Sequence, residues 1–148
     1  THLIRLTADG SAISSTLTDA LGGVFQLQSG RMYEVEGTIL LTNSATGNIS
    51  TNFNDSATQI SSMSILENKG TDNGGTIGAF SHSAATGTVD TGLATASTFA
   101  ILYSGFVNVS GNTNFSLQVS TSSGTVTPKA GSYLRLSEHV GTTIGDTA

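Results

Sequence analysis

The chain has no cysteine, no tryptophan and a single proline in 148 residues, and it carries few charges. Without cysteine there is no disulfide framework and no thiol nucleophile. Charged residues make up only 10% of the chain, against roughly 25% in average globular proteins. Ser and Thr together account for 44 residues. We therefore expect a surface that is built largely from neutral polar groups.

Basic residues are too few and too dispersed for non-specific binding to nucleic acid. Only five Lys and Arg residues occur, and no two of them lie within five positions of each other. Binding of this kind relies on clustered Lys and Arg that displace counterions from phosphates. The acidic residues are also scattered, and the net charge is -5. We expect no nucleic-acid partner.

Long apolar runs are absent as well. The longest uninterrupted run is Phe99–Tyr103, whereas a membrane-spanning helix needs about 20 apolar residues. Residues 1–6 lack the apolar stretch of a secretory signal. We therefore expect neither a membrane partner nor an export signal in this chain. Apolar residues still make up 36% of the sequence, which is enough for a core without disulfides or metals.

Alternation of apolar and polar residues with a period of two is the clearest pattern in the chain. In residues 31–42 the apolar side chains fall mainly on odd positions, and Glu34 and Glu36 fall on the opposite face. This pattern is typical of a half-buried β-strand. It recurs in three later segments, which are residues 99–110, 113–120 and 132–138.

Glycine positions predict how two of these strands bend or connect. Gly37 interrupts the first strand and predicts a bulge or bend there. The dipeptide Gly111-Asn112 lies between residues 99–110 and 113–120 and is typical of a turn. These two segments are therefore predicted to pair as an antiparallel hairpin.

The remaining elements are less regular. Residues 12–21 also fit helical spacing, but the β-branched Thr16 and Thr18 favour a strand at 12–17 and a turn at 18–23. Shorter strands are predicted at residues 3–7, 24–28, 59–67 and 76–81.

Two long loops are predicted in the central part of the chain, at residues 68–75 and 83–97, which are rich in Gly, Ser, Thr, Asn and Ala. Loops of this length are usually functional or ordered by a partner. About eight short strands with almost no helix predict an all-β fold, an antiparallel β-sandwich that is jelly-roll-like with long central loops. We expect a single domain over residues 1–148, with residues 140–148 as a flexible tail.

Sequence signatures of catalysis are missing. No G-x-S-x-G, Walker-type or H-E-x-x-H motif occurs. A nucleophile would have to be a Ser or Thr that is activated by His2, His82 or His139. Solvent-exposed histidines on loops and termini are the simpler interpretation. We therefore expect a protein that is not an enzyme.

The acid pair Glu34 and Glu36 and the turn at residues 72–75 each allow a chemical role besides a structural one. Glu34 and Glu36 are two strand steps apart, about 7 Å at ~3.3 Å per residue, a separation that glycosidases use. A solvated strand face explains the same pair. Asp72-Asn73-Gly74-Gly75 offers oxygen ligands of the kind that calcium needs, yet the same residue types form ordinary turns. The turn is favoured, and we predict neither a metal ion nor a cofactor.

Some side chains are candidates for contact with a partner. Tyr133 and Arg135 lie opposite Leu134 and Leu136 on the last strand, and Tyr and Arg are enriched in protein interfaces. Lys is depleted there, and the chain has only two. The full set of candidate contact residues is Asp72, Asn73, Phe80, His82, Tyr133 and Arg135.

Both ends of the sequence resemble a known family. RLTAD at residues 5–9 and FQLQSGRMYEVE at residues 25–36 resemble the start of small β-sandwich virion proteins of tailed bacteriophages. GFV at residues 105–107, TNFSLQ at 113–118 and GTVTPKAGSYL at 124–134 resemble their closing strands. Together the resemblance covers residues 3–41 and 99–138, and its motifs are mostly structural.

The resemblance implies a structural protein on the outer surface of a phage particle, made in the host cytoplasm and often trimeric. We expect a capsid decoration, or cement, protein whose partners are the major capsid protein and further copies of itself. The alternative is a head or tail fibre domain that binds a host-surface receptor or glycan. The lack of an upstream shaft or heptad segment favours the decoration role.

Overall fold

Strands are the regular secondary structure of residues 1–69, 78–83, 90–94 and 98–139, which are the residues that the computed structural model describes. No helix that could span a membrane occurs in this part of the chain. The strands are β1 His2–Arg5, β2 Thr18–Asp19, β3 Phe25–Leu27, β4 Met32–Asn43, β5 Gly47–Asp55, β6 Ile60–Lys69, β7 Gly78–His82, β8 Asp90–Ala94, β9 Thr98–Val109, β10 Thr113–Thr121, β11 Val126–Pro128 and β12 Tyr133–His139.

The strands form two antiparallel sheets. The larger sheet has seven strands in the order β1-β12-β4-β9-β6-β7, with β11 also paired to β4. The smaller sheet has five strands in the order β2-β10-β5-β8, with β3 also paired to β10. Successive strands cross repeatedly between the sheets, as from β4 to β5 and from β8 to β9 to β10. This confirms the predicted all-β, jelly-roll-like antiparallel sandwich.

The core lies between the two sheets because alternate side chains of each strand point inward. In β4, Val35 and Ile39 are buried, whereas Glu34 and Glu36 are exposed. This confirms the strand and the buried face that the alternation predicts. Phe53 of the smaller sheet is fully buried in the same apolar cluster as the inward residues of β4.

Gly37 and Gly105 provide space for close neighbours. The pairing of β4 with β9 and β12 passes through Gly37 without a register shift, so of the predicted bulge or bend the bulge is excluded. A Cβ at Gly37 would lie 2.5 Å from the carbonyl oxygen of Tyr133. A Cβ at Gly105 would lie 2.6 Å from Cα of Ile65. Glycine is needed at both positions because the neighbouring backbone approaches so closely.

β9 and β10 belong to different sheets, so the predicted hairpin is wrong. β9 pairs with β4 and β6 in the larger sheet, and β10 pairs with β5, β3 and β2 in the smaller one. The short segment 110–112 therefore passes from one sheet to the other. Periodicity identifies the buried face of a strand but does not identify the strand beside it.

The N-terminal prediction is also partly wrong. In place of a strand at residues 12–17, the structure has a single bridge from Ile13 to Val126. The residues assigned to a turn contribute β2, which pairs with Gln118 and Val119 of β10.

The centre of the chain holds more strand than expected. Asn68 and Lys69 belong to β6, and residues 90–94, inside the predicted loop at 83–97, form β8. The other residues of the two predicted loops lie largely outside the described part of the chain, as does the predicted tail at 140–148.

Candidate functional site

The outer face of the larger sheet brings together one predicted contact residue and both candidate acids. Arg135 of β12 lies opposite Glu36 of β4, and the two side chains form an ion pair. The hydrogen bond from Arg135 to Glu36 raises the pKa of Arg135. Oε2 of Glu34 lies 3.2 Å from Nε2 of His139 on the same face. Both glutamates are thus partnered on an open sheet face, an arrangement that fits the solvated-face interpretation.

An apolar stripe runs across the same face beside these ion pairs. Leu66 of β6 and Leu102 of β9 lie on adjacent strands, and they are 42% and 51% exposed. Leu40 of β4 and Phe106 of β9 extend the stripe and are half-buried. We call Leu40, Leu66, Leu102 and Phe106 the apolar stripe. Apolar groups gathered on one outward sheet face are suited to contact with another protein.

Tyr133 adjoins the apolar stripe. It lies opposite Thr38 of β4, which in turn lies opposite Leu102 of β9. Tyr133 and Arg135 are both half-buried on this outer face. The structure therefore places these two predicted contact residues on one surface with the exposed leucines.

The other predicted contact residues do not join this surface. His82 is fully buried between the sheets, so its proposal as a partner-contacting residue is corrected: the side chain has no exposed area with which to touch a partner. Phe80 lies in β7 opposite Glu67. Asp72 and Asn73, and with them the candidate calcium turn, lie outside the described residues.

His82 belongs instead to a buried polar cluster around Glu67. Oε1 of Glu67 accepts hydrogen bonds from the hydroxyl of Tyr103 at 2.5 Å and from the hydroxyl of Thr51 at 2.7 Å. Nε2 of His82 lies 3.4 Å from the same oxygen. Thr51, Glu67 and His82 are all 0% exposed. The hydroxyls of Tyr103 and Thr51 and the imidazole of His82 thus converge on one oxygen of a buried acid, which offsets part of the cost of burying it.

Aromatic rings enclose this polar cluster. The ring of Phe53 packs edge-on against His82 at 5.0 Å and against Tyr103 at 5.3 Å between centroids. Phe53 also stacks on Phe115 at 5.2 Å with an interplanar angle of 3°. The cluster combines a hydroxyl, a histidine and an acid as a catalytic triad does. However, Thr51 donates to Glu67, and the groups lie inside the core with no exposed surface to meet a substrate.

A second buried acid holds a turn in place. Oδ2 of Asp55 accepts a hydrogen bond from the backbone N–H of Ile60 at 2.9 Å, and its other oxygen accepts one from the hydroxyl of Thr113. Sequence reasoning missed both buried acids. Glu67 could have been predicted to be buried. It lies in a predicted strand at every second position from Met63 and Ile65, so its side chain faces the core as theirs do.

Neither a metal-binding group nor a comparison with known proteins assigns a function to this chain. In the described part of the chain, no group of three or more His, Asp or Glu side chains is arranged to hold a metal ion. Comparisons with protein-family models, with curated proteins and with solved structures found no match to this chain.

Proposed function

We propose that this chain is a non-enzymatic structural protein on the outer surface of a bacteriophage particle, where it decorates the capsid and stabilises the shell. The apolar stripe carries the proposal. A broad sheet face with two exposed leucines, bordered by Tyr133 and the Arg135–Glu36 ion pair, suits docking on a second protein. The resemblance of residues 3–41 and 99–138 to small virion proteins supplies the particle context.

Stabilisation of the shell follows from linkage. A protein that binds the assembled capsid but not its dissociated subunits lowers the free energy of the assembled state. Each site contributes about 2.7 kcal/mol when the free protein is at 100 times its Kd. The proposed partner is the major capsid protein. The low lysine content reduces the desolvation cost of burying this face, because only two lysines occur in the chain.

Self-association into a trimer is the second part of the proposal. Light scattering at micromolar concentration tests it directly, since the monomer has a mass of 15.0 kDa. A mass three times larger supports the trimer. A clean monomer at that concentration contradicts it.

Capsid binding is tested with phage particles from which the protein has been stripped. Recombinant protein is added back, and its binding and the melting temperature of the shell are measured. The double variant Leu66→Ser with Leu102→Ser is expected to bind at least about tenfold more weakly for each leucine replaced. Val24→Ser is the matched control, because Val24 is 42% exposed but lies next to β3 of the smaller sheet, outside the apolar stripe.

Copy number separates the decoration role from the fibre role. Quantitative mass spectrometry of purified virions should find many copies per particle. The decoration role would be wrong, and the fibre role favoured, if three results came together. Only a handful of copies would be found, the labelled protein would bind to host cells, and the shell would lose no stability when the protein is stripped.

A further inference from the structure

A cleft of about 950 Å³ opens at the side of the sandwich, where β1 of one sheet and β3 of the other supply its walls. One wall is the segment 1–4, which contains most of β1, the end strand of the larger sheet. The other wall is the segment 24–28, which contains β3 at the border of the smaller sheet. Residues 56–57 and 112–114 complete the lining. The volume falls within the range of about 300–1,000 Å³ that is typical of ligand pockets.

The lining of this cleft is rich in amides, and its ionisable groups are the amino group of Thr1 and the imidazole of His2. No Asp, Glu, Lys or Arg lines it, and the amides are Gln26, Gln28, Asn112 and Asn114. Gln26 and Asn114 lie directly opposite each other on β3 and β10, and both are exposed. An amide side chain carries two N–H donors and an acceptor oxygen without a net charge, although Oδ1 of Asn112 already accepts a hydrogen bond from the backbone N–H of Ser29. Such groups match ligands whose hydroxyls both donate and accept hydrogen bonds.

An apolar group lies beside these amides. Val24 lines the cleft two residues before Gln26 and is 42% exposed, whereas Leu3 lies opposite Arg135 on the outer face of the larger sheet. A sugar ring presents hydroxyls around its edge and C–H groups on its faces. An amide pair next to an exposed aliphatic side chain is complementary to both parts of such a ring.

We propose that this cleft binds a neutral oligosaccharide. No Lys or Arg side chain lines the cleft, so an anionic ligand would meet only the amino group of Thr1 and the imidazole of His2, against a net charge of -5 on the whole chain. An added peptide strand would find only a short edge, because β3 has three residues and the N–H of Gln28 already donates to the hydroxyl of Tyr33. None of the four residues of the apolar stripe lines the cleft, so sugar binding does not rest on the proposed capsid role.

Nuclear magnetic resonance titration tests the proposal with the whole chain. The ¹⁵N-labelled protein is titrated to millimolar concentration with neutral hexasaccharides of glucose, mannose, galactose and N-acetylglucosamine. At least one sugar is expected to give saturable shifts in the side-chain NH₂ signals of Gln26, Gln28, Asn112 and Asn114. A sulfated hexasaccharide and an uncharged extended hexapeptide are expected to give none. The proposal is overturned if no neutral sugar binds, if the shifts map elsewhere, or if only the peptide or the sulfated sugar binds.

A second experiment replaces Gln26 and Asn114, the two amides that lie opposite each other on β3 and β10. The double variant Gln26→Ala with Asn114→Ala is expected to weaken binding of the responsive sugar by about tenfold or more. Asn48→Ala is the matched control, since Asn48 is an exposed amide of β5 that does not line the cleft. Equal melting temperatures would show that all the variants fold. Unchanged affinity in the double variant, or an equal loss in the control, would count decisively against the cleft as the binding site.

Discussion

The hydroxyl oxygen of Tyr103 lies 2.5 Å from Oε1 of Glu67 in the interior between the two sheets. The two residues lie opposite each other on the adjacent strands β9 and β6. The hydroxyl of Thr51 reaches the same oxygen from β5 of the other sheet. A single carboxylate therefore links the two layers of the sandwich by hydrogen bonds. Because Glu67 is fully buried, these donors take the place of water at Oε1.

Replacing Tyr103 by Phe is expected to lower the free energy of unfolding by about 1–3 kcal/mol, because it removes a donor from a buried carboxylate. Urea denaturation followed by circular dichroism measures the change. Tyr133→Phe is the matched control, and a change within about 0.5 kcal/mol is expected because Tyr133 lies on the outer face of the sheet. Equal losses in the two variants would contradict the role assigned to the buried hydroxyl.

Thr51 and Tyr103 should be energetically coupled, because their hydroxyls donate to the same oxygen of Glu67. Thr51→Val removes the donor with little change of shape, whereas Thr51→Ser retains it. In a double-mutant cycle with Tyr103→Phe, we expect Thr51→Val to show a coupling energy of about 0.5–3 kcal/mol. Thr51→Ser should show much less. Additive losses for Thr51→Val would mean that the two hydroxyls act independently.

The sequence pattern predicts those parts of the fold in which one face of a strand is apolar. β4 is predicted correctly because Val35 and Ile39 alternate with Glu34 and Glu36. β5 gives no such signal, because its inward side includes the polar Thr51 along with apolar residues. The partner that stabilises Thr51 is Glu67 on another strand, and local alternation carries no information about that contact.

The candidate site was predictable to a similar extent. Alternation places Tyr133 and Arg135 on the outward face of the last strand, and the structure has them there. Leu66 and Leu102 become neighbours only through the pairing of β6 with β9, so their stripe could not be anticipated. The cleft at β1 and β3 likewise depends on how the two sheets end side by side.

Substitution of Gly105 by alanine is expected to destabilise the fold. An added Cβ would lie 2.6 Å from Cα of Ile65, so the backbone of β6 or β9 would have to shift. We expect Gly105→Ala to lower the free energy of unfolding by about 1–3 kcal/mol. In Gly10→Ala the nearest atom to the new Cβ is Cβ of Pro128 at 3.5 Å, an ordinary contact, and the change should stay within about 0.5 kcal/mol. Thermal or urea unfolding of both variants tests the difference.

Asp9 is expected to titrate below its ordinary pKa of 3.8 in the folded protein. A side-chain hydrogen bond from Lys129 is the main cause, and the backbone N–H of Ala130, which donates to Asp9 at 2.9 Å, adds to it. A carboxyl with a lowered folded-state pKa stabilises the fold above its unfolded pKa, and this contribution is lost as the pH falls through the folded value. Titration of the Asp9 carboxyl signal by nuclear magnetic resonance measures the pKa directly.

Two variants separate the cause of this effect from its consequence for stability. Lys129→Met removes the main hydrogen bond, so the pKa of Asp9 should move back towards 3.8. Asp9→Asn removes the titrating group, so wild type and variant should differ most in stability at pH values above 3.8 and less as the pH falls below it. A difference that grows on acidification has the opposite sign and would show that ionised Asp9 does not stabilise this fold.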